Sequence, residues 1–313
     1  MNPPPRTPVD RVVILVCTYR RPEGLKRLLE SLAEHQTRLS FDVVVVDNDP
    51  AASGRPVTEA SELPVKYLVE ERPGIAAARN RTLQEIRRDH DAVVFVDDDE
   101  FVEEGWLDAH VEALDAWNAD VVTGPVISLL PEDAPRWVRR GGFIQRSPRA
   151  TGTSLNTAKT SNTIVRGGWL GPSSDIVFDE AFSRSGGSDT DLFWRLRRLG
   201  ATIVWSADAV VSEPVPRSRT TARWIVRRDF RGGVVMGRIM LRDSPRSVVL
   251  AKGVARTLAG AVRTVLGTIV HLGPRASDVK VLLFGSGVVS ACFGVLTDEY
   301  GRGPDVGALG GAA

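Results

Sequence analysis

Residues 11–47 read RVVILVCTYRRPEGLKRLLESLAEHQTRLSFDVVVVD. The two ends, RVVILVC (11–17) and FDVVVVD (41–47), are short β-branched runs of the kind buried on both faces of a parallel sheet. Between them, residues 23–35 place Leu25, Leu28, Leu29 and Leu32 at helical spacing. Strand, helix, strand in this rhythm predicts a βαβ unit, and its right-handed crossover makes the two strands parallel. The rhythm continues downstream. Residues 65–69 predict a third strand, 74–88 a helix, and 92–96 (AVVFV) a fourth strand that runs straight into three aspartates. A helix over 106–117 and a strand over 120–126 follow. The expected fold class is α/β, with a Rossmann-like, mostly parallel central sheet flanked by helices.

Residues 130–160 change character. Pro131, Pro135 and Pro148, several arginines and a Ser/Thr-rich stretch predict a long mobile loop, a form used for lids and binding segments. Order resumes over 161–166, with a helix near 189–199 and a strand over 202–205. From residue 220 onward the pattern is helical, ending in an apolar pair around 248–271 and 277–296. The expected organisation is a disordered tail over 1–9 and a catalytic domain over 10–235, split into a nucleotide-binding half (10–126) and an acceptor half (127–235). A helical C-terminal extension over 236–300 and a flexible tail over 301–313 complete it.

The chain has 313 residues, of which 42% are hydrophobic, so it can bury a core large enough for one such domain and an appendage. A net charge of +1 argues against a general nucleic-acid binder, which needs a strong cationic excess to displace counterions. Cys17 and Cys292 lie far apart in apolar runs and read as buried, reduced thiols, so a reducing, cytoplasmic compartment is expected. The proline-rich start, MNPPPRTPVD, has no apolar core of a signal peptide. No run reaches the ~18 consecutive apolar residues of a membrane span; residues 281–296 come nearest.

Open α/β sheets bind ligands at the C-terminal ends of their strands. There the first strand ends in Thr18-Tyr19-Arg20, the second in Asp47-Asn48-Asp49 and the fourth in Asp97-Asp98-Asp99-Glu100. These ends should converge on one acidic crevice, with Arg20 and Arg79 nearby. Four successive carboxylates after a buried strand repel one another, and a divalent cation such as Mg²⁺ or Mn²⁺ would relieve that repulsion. The segment ERPGIAAARN (71–80) places a glycine and small alanines at a helix start, where a ligand can approach closely, and ends in the donors Arg79 and Asn80. Trp137, Trp169 and Trp224 are candidates for stacking on a sugar or for core packing. Arg223, Arg227 and Arg231 form an i, i+4 stripe that is either solvated or phosphate-facing.

Five segments, ILVCTYRRPEGLKRLLESL, VVVVDND, ERPGIAAARN, VVFVDDDEFVEEGWL and GGSDTDLFWRLRRLG, occur in the order and spacing of family 2 glycosyltransferases, and the chain resembles that family over roughly residues 10–235. The resemblance implies a GT-A fold and an inverting, metal-dependent transfer of a sugar from a nucleoside-diphosphate sugar, most simply a UDP-sugar, to an acceptor hydroxyl. It implies that Thr18, Tyr19 and Asp47 hold the nucleobase and that Arg79 and Asn80 lie by the nucleotide. In the Asp-X-Asp motif, Asp97 would face the ribose and Asp99 would coordinate Mn²⁺ or Mg²⁺, with Asp98 between them. The family's Glu-Asp pair reads Ser188-Asp189 here, so Asp189 is the expected base and Asp191 its substitute. The family's histidine ligand is replaced by Ser212-Glu213, which makes Glu213 the remaining candidate for that place.

Two rival readings stand beside this one. A sugar-nucleotide pyrophosphorylase would carry a glycine-rich, lysine-containing loop where this chain has TYRRPEG. A catalytically impaired scaffold of the same fold is the alternative raised by the lost glutamate and histidine. The acceptor expected is a lipid-linked or envelope glycan or a secondary metabolite. In residues 248–271, Lys252, Arg256 and Arg263 accompany Val249, Leu250, Val254, Leu258, Val262 and Val265. Such a helix suits the inner face of a membrane, the catalytic domain or a second copy of the chain.

Overall fold

The opening βαβ unit forms in register. Strands β1 (Arg11–Thr18) and β2 (Ser40–Asp47) run parallel, Arg11 beside Ser40 and Thr18 beside Asp47, with α1 (Pro22–Glu34) as the crossover. The computed structural model describes residues 4, 6–183, 185–271, 273 and 275–297. Helix α2 (Arg55–Glu59), strand β3 (Val65–Val69), helix α3 (Ile75–Leu83) and strand β4 (Ala92–Phe95) follow. β3 joins the outer edge of β2, and β4 pairs parallel with the other edge of β1. Both faces of β1 are buried. Val12, Ile14 and Val16 meet the leucines of α1, while Val13 and Leu15 face α3 and the acceptor half. Leu25, Leu28, Leu29 and Leu32 are all buried, each contributing roughly 1.5–3 kcal/mol.

The short β5 (Phe101–Val102) precedes α4 (Trp106–Ala116), β6 (Val121–Thr123) and β7 (Val126–Leu129). The strand expected over 120–126 therefore divides. At the break, a Cβ on Gly124 would lie 2.0 Å from the Ala209 carbonyl oxygen, and Pro125 has no N–H for a ladder. β6 stays in the main sheet while β7 enters a small second sheet. The segment expected to be a mobile loop holds α5 (Arg136–Gly141) and β8 (Ser154–Leu155), and Val138 and Ile144 pack there against Val215 and Ile225.

Strand β9 (Thr163–Arg166) lies antiparallel between β4 and β6, because it arrives from a loop rather than from a helical crossover. Then come α6 (Ser188–Arg198), β10 (Ile203–Trp205) and β11 (Val211–Pro214). The main sheet has the order β3-β2-β1-β4-β9-β6-β10-β8, and the small one β5-β11-β7. This is the mostly parallel, helix-flanked α/β sheet expected.

Residues 6–9, expected within a tail, are packed. Arg6 donates to the Asp120 carboxylate at 2.9 Å, Arg166 donates to the Thr7 carbonyl, and Val9 is buried. Residues 1–3 and 5, and the tail expected over 301–313, lie outside the described residues.

Three helices end the fold: α7 (Ala222–Asp243), α8 (Arg246–His271) and α9 (Ala276–Ala291). α7 runs through the boundary expected at 235, so the backbone continues unbroken into the extension. Glycines let α9 press against both partners. A Cβ on Gly233 would lie 2.0 Å from the Phe284 carbonyl oxygen, and one on Gly260 2.3 Å from the Leu282 nitrogen. Gly233 meets Phe284 and Gly237 meets Ala291, so α7 and α9 run in the same direction.

Candidate active site

β2, β1 and β4 are neighbours, so Asp47, Thr18 and the acidic segment after Phe95 emerge side by side. Arg20 turns the chain in the left-handed region, φ 53°, a conformation that costs a non-glycine residue roughly 1–2 kcal/mol. That turn points Arg21 back over the acidic loop before Pro22 starts α1. Arg21 Nη1 donates to Asp98 Oδ1 at 3.1 Å and to Asp99 Oδ2 at 2.9 Å, while Thr18 Oγ1 donates to Asp98 Oδ2 at 2.8 Å. Asp99 also faces Arg219, 3.6 Å away, from the turn before α7. A Cβ on Gly24 would lie 2.6 Å from the Asp98 carbonyl oxygen, so only glycine lets α1 approach this closely.

The acceptor half is tied on through Arg79. Its Nη1 donates to Ser188 Oγ at 3.1 Å, and its Nη2 lies 4.0 Å from Asp97 Oδ1. The residue standing where the family has a glutamate thus anchors α3 to the start of α6, and Asp189, the next residue, lies within electrostatic reach of Asp97. Protein crowds Asp97, yet its side chain keeps 44% of its surface open, as the wall of a cleft does.

The acidic loop holds more negative charge than its surroundings favour. Burial pushes the Asp97 carboxyl up, with Arg79 opposing and Asp99 and Asp189 adding to the rise. Burial likewise raises Asp98 to about 6, against Arg21. Glu100 is pushed well above its ordinary value by burial and by Asp97. It accepts from the Asp97 N–H, and its Oε1 is buried without a hydrogen-bond partner. Asp97 and Asp99 are hard oxygen donors with open faces. No group of three His, Cys, Asp or Glu side chains placed to hold a metal occurs among the described residues. Two such carboxylates suit a cation that draws its other ligands from substrate phosphates and water. Burial pushes the Cys17 thiol up to about 12, so it offers no thiolate here.

The other anticipated residues are distributed unevenly. Asp47 is fully buried and accepts from the N–H groups of Asp49 and Gly54 and from the Tyr67 hydroxyl, which knots the turn after β2. Tyr19 and Arg20 sit on the rim, where the Arg20 guanidinium lies 5.2 Å from the Tyr19 ring and 3.3 Å from Asp49. Asn80 exchanges two hydrogen bonds with the Phe178 backbone, which pins the end of the motif to the acceptor half. Asp191 is 1% exposed and ion-paired to Arg195 at 2.9 Å and Arg242 at 2.8 Å, so the packing directs it away from solvent. Glu213, on β11, accepts from Ser128 Oγ at 2.8 Å and is not grouped with the aspartates.

Trp169 is core, whereas Trp224 lies between Arg219 and Arg228, 5.9 Å and 5.0 Å from its ring. In the basic helix, Arg223 and Arg227 are exposed, and Arg228, outside the anticipated stripe, turns inward to donate to the Phe143 carbonyl. Sequence reasoning missed Arg21, whose only local sign was the doubled arginine before Pro22, and read Ser188 only as a lost glutamate.

The profile described as glycosyl transferase family 2 matches residues 13–171. The chain is 37% identical to the succinoglycan biosynthesis protein ExoM of Rhizobium meliloti over 234 residues, 72% of this chain and 74% of that one. It is 30% identical to the glycosyltransferase GlyA of Streptococcus pneumoniae over 118 residues, 37% of this chain but 16% of GlyA. Among solved structures, S. aureus TarS 1-349 superposes with a TM-score of 0.54 at 17% identity, covering 94% of this chain and 97% of that one. A longer TarS chain gives 0.53 at 16% identity, and this chain spans 55% of it. At these identities the likeness to TarS bears on the fold. The TarS 1-349 form has also been solved with UDP and with UDP-GlcNAc.

Proposed function

Because the chain belongs to glycosyl transferase family 2, we propose that it transfers a sugar from a UDP-sugar to an acceptor hydroxyl with inversion at the anomeric carbon. The observation that carries this reading is the link from Asp97 through Arg79 and Ser188 to Asp189. It sets a carboxylate of the acceptor half opposite the acidic loop of the nucleotide half. The complexes of TarS with UDP and UDP-GlcNAc support the choice of donor. The role of ExoM in succinoglycan biosynthesis supports an envelope or exported glycan as acceptor.

In this mechanism the acceptor oxygen attacks the anomeric carbon as its proton passes to the Asp189 carboxylate. The bond from that carbon to the diphosphate oxygen breaks on the opposite face, and the diphosphate leaves with the electron pair. One displacement inverts the configuration, and no covalent nucleophile is needed. Arg21 and Arg219 hold Asp99 in place, and Arg79 holds Asp97 and Ser188. Asp97 and Asp99 would bind Mn²⁺ or Mg²⁺, and such an ion neutralises the charge of a leaving diphosphate. The test is turnover of a panel of UDP-, GDP- and dTDP-sugars with Mn²⁺. Hydrolysis or transfer of a UDP-sugar is expected, and binding without turnover would make the chain a scaffold.

We also propose that the enzyme is cytoplasmic and attached to the inner membrane face through α8. Residues 246–270 are long and apolar enough to cross a membrane by length and composition, and an 18-residue window within them has a mean hydropathy of 1.2 with only 11% of it buried. Val254, Leu258, Val262, Val265 and Ile269 form one exposed face. The basic residues turn elsewhere: Arg256 stacks on Phe284 and Arg263 pairs with Asp278. The apolar face would therefore enter the interface. α9 packs antiparallel along α8, between it and α7, and so leaves this face uncovered. Replacing Leu258, Val262 and Ile269 with Asp should release the protein from phosphatidylglycerol liposomes in a sedimentation assay. A wild type that stays soluble and dimeric, with a monomeric variant, would assign the face to a second copy.

A further inference from the structure

A cluster of cations lies beside Asp189 that the transfer reaction above does not use. Lys159 follows the buried Ala158, in a segment that Thr157 fastens to the start of α6 by donating to the Thr190 carbonyl at 3.2 Å. This seats Lys159 within electrostatic reach of Asp189. Arg146 comes from the preceding loop and donates to Ser161 Oγ at 3.2 Å. Arg228 comes from α7, braced by the Phe143 carbonyl at 2.7 Å and by Asp229 at 3.0 Å. The parallel packing of α9 on α7, locked by Gly233 and Gly287, sets Lys280 beside the Arg228–Asp229 turn. Three separate parts of the chain thus bring four cations together against two carboxylates, Asp189 and Asp229.

Lys159 and Lys280 both keep solvent access, although protein crowds them. Lys159 is lowered to about 8, by burial first and then by Arg146, Lys280 and Arg228, with Asp189 opposing. Burial also lowers Lys280. Folding has gathered like charges at one solvent-accessible place, an arrangement that a bound dianion would relieve.

We infer that this cluster holds a phosphate or diphosphate carried by the acceptor, close to the hydroxyl that attacks. The inference rests on the transfer reaction proposed above and narrows its acceptor to an anionic class. It also gives the C-terminal extension a part in the site, through Lys280.

The test is calorimetric titration of the full-length protein, saturated with UDP and Mn²⁺, with octyl phosphate and with inorganic phosphate. Binding to the wild type is expected, weakened at least tenfold in Lys159→Gln/Lys280→Gln and retained in Lys159→Arg/Lys280→Arg, with UDP affinity within twofold throughout. Tighter binding of octyl phosphate points to a lipid-linked phosphate, and equal binding to phosphate alone; either supports the inference. Absent binding, binding unchanged in the glutamine variant, or glucuronate bound in place of phosphate would overturn it. A parallel loss of UDP affinity would also overturn it, by assigning the cluster to the donor diphosphate. If the wild type fails to bind UDP, the donor reading falls by itself, and the phosphate titration without nucleotide still decides the cluster.

Discussion

Asp189→Asn should lower kcat by about 10²–10⁴-fold while leaving donor affinity nearly unchanged, because asparagine keeps the size and hydrogen bonding of the carboxylate but cannot take a proton. Asp189 is half-buried, and among the described residues its carboxylate accepts from the backbone and hydroxyl of the neighbouring Thr190. It lies within electrostatic reach of Asp97. Asp191→Asn should behave differently. Arg195 and Arg242 would each lose a charged partner, costing up to about 3 kcal/mol, the low end for orphaning a buried ion because both arginines keep solvent contact. A lowered melting temperature is expected there, with any loss of activity recovered on cooling. Single-turnover kinetics with circular dichroism melts separate the two outcomes. A stably folded Asp191→Asn with collapsed kcat, beside an active Asp189→Asn, would assign the base to Asp191.

The second large effect concerns charge at the leaving group. Asp99→Asn should lower turnover by roughly 10²–10³-fold, corresponding to several kcal/mol of lost stabilisation of the leaving diphosphate. Excess EDTA should do the same to the wild type, with Mn²⁺ or Mg²⁺ restoring activity. Asp99 is held by Arg21 at 2.9 Å and faces Arg219 at 3.6 Å, so its carboxylate is already oriented before any ligand arrives. A readout independent of turnover is the gain in UDP affinity on adding Mn²⁺, which Asp99→Asn should abolish. Full activity of the wild type in EDTA would remove the cation and leave neutralisation to Arg21, Arg79 and Arg219.

Most of the scaffold was legible because it is written in local periodicity. The uninterrupted β-branched runs around Ile14 and Val44 announce strands covered on both faces, and the leucines from Leu25 to Leu32 announce the helix that covers one of them. The right-handed connection makes β2 a parallel neighbour of β1, whereas the crossing of the chain from β3 to the other edge of β1, which brings Thr18 to the aspartates after Phe95, was settled by the sheet as a whole. Strand β9 was read as order without direction. Nothing within four residues distinguishes a parallel partner from an antiparallel one, and the connection that decides it runs through the loop from Pro131 onward. The small sheet was missed because β5, β7 and β11 are too short to show a period.

At the site, the sequence alone determined which residue types stand at the strand ends, and hence an acidic crevice, while the family resemblance pointed to the pair Ser188-Asp189. It could not say which carboxylates meet water. Asp189 and Asp191 are two residues apart on α6, about 200° around the helix, so packing one face toward α7 must turn the other toward the cleft. Sequence spacing shows that the two differ, but only the approach of Arg242 on α7 shows which is taken. The same holds for Asp47, closed off by Tyr67 from the next strand, and for Lys280, which reaches the Arg228–Asp229 turn through glycine contacts on α7. Periodicity is a property of one element and survives in the sequence. A side chain's partner is decided by how separate elements pack, and that is settled only when the whole core closes.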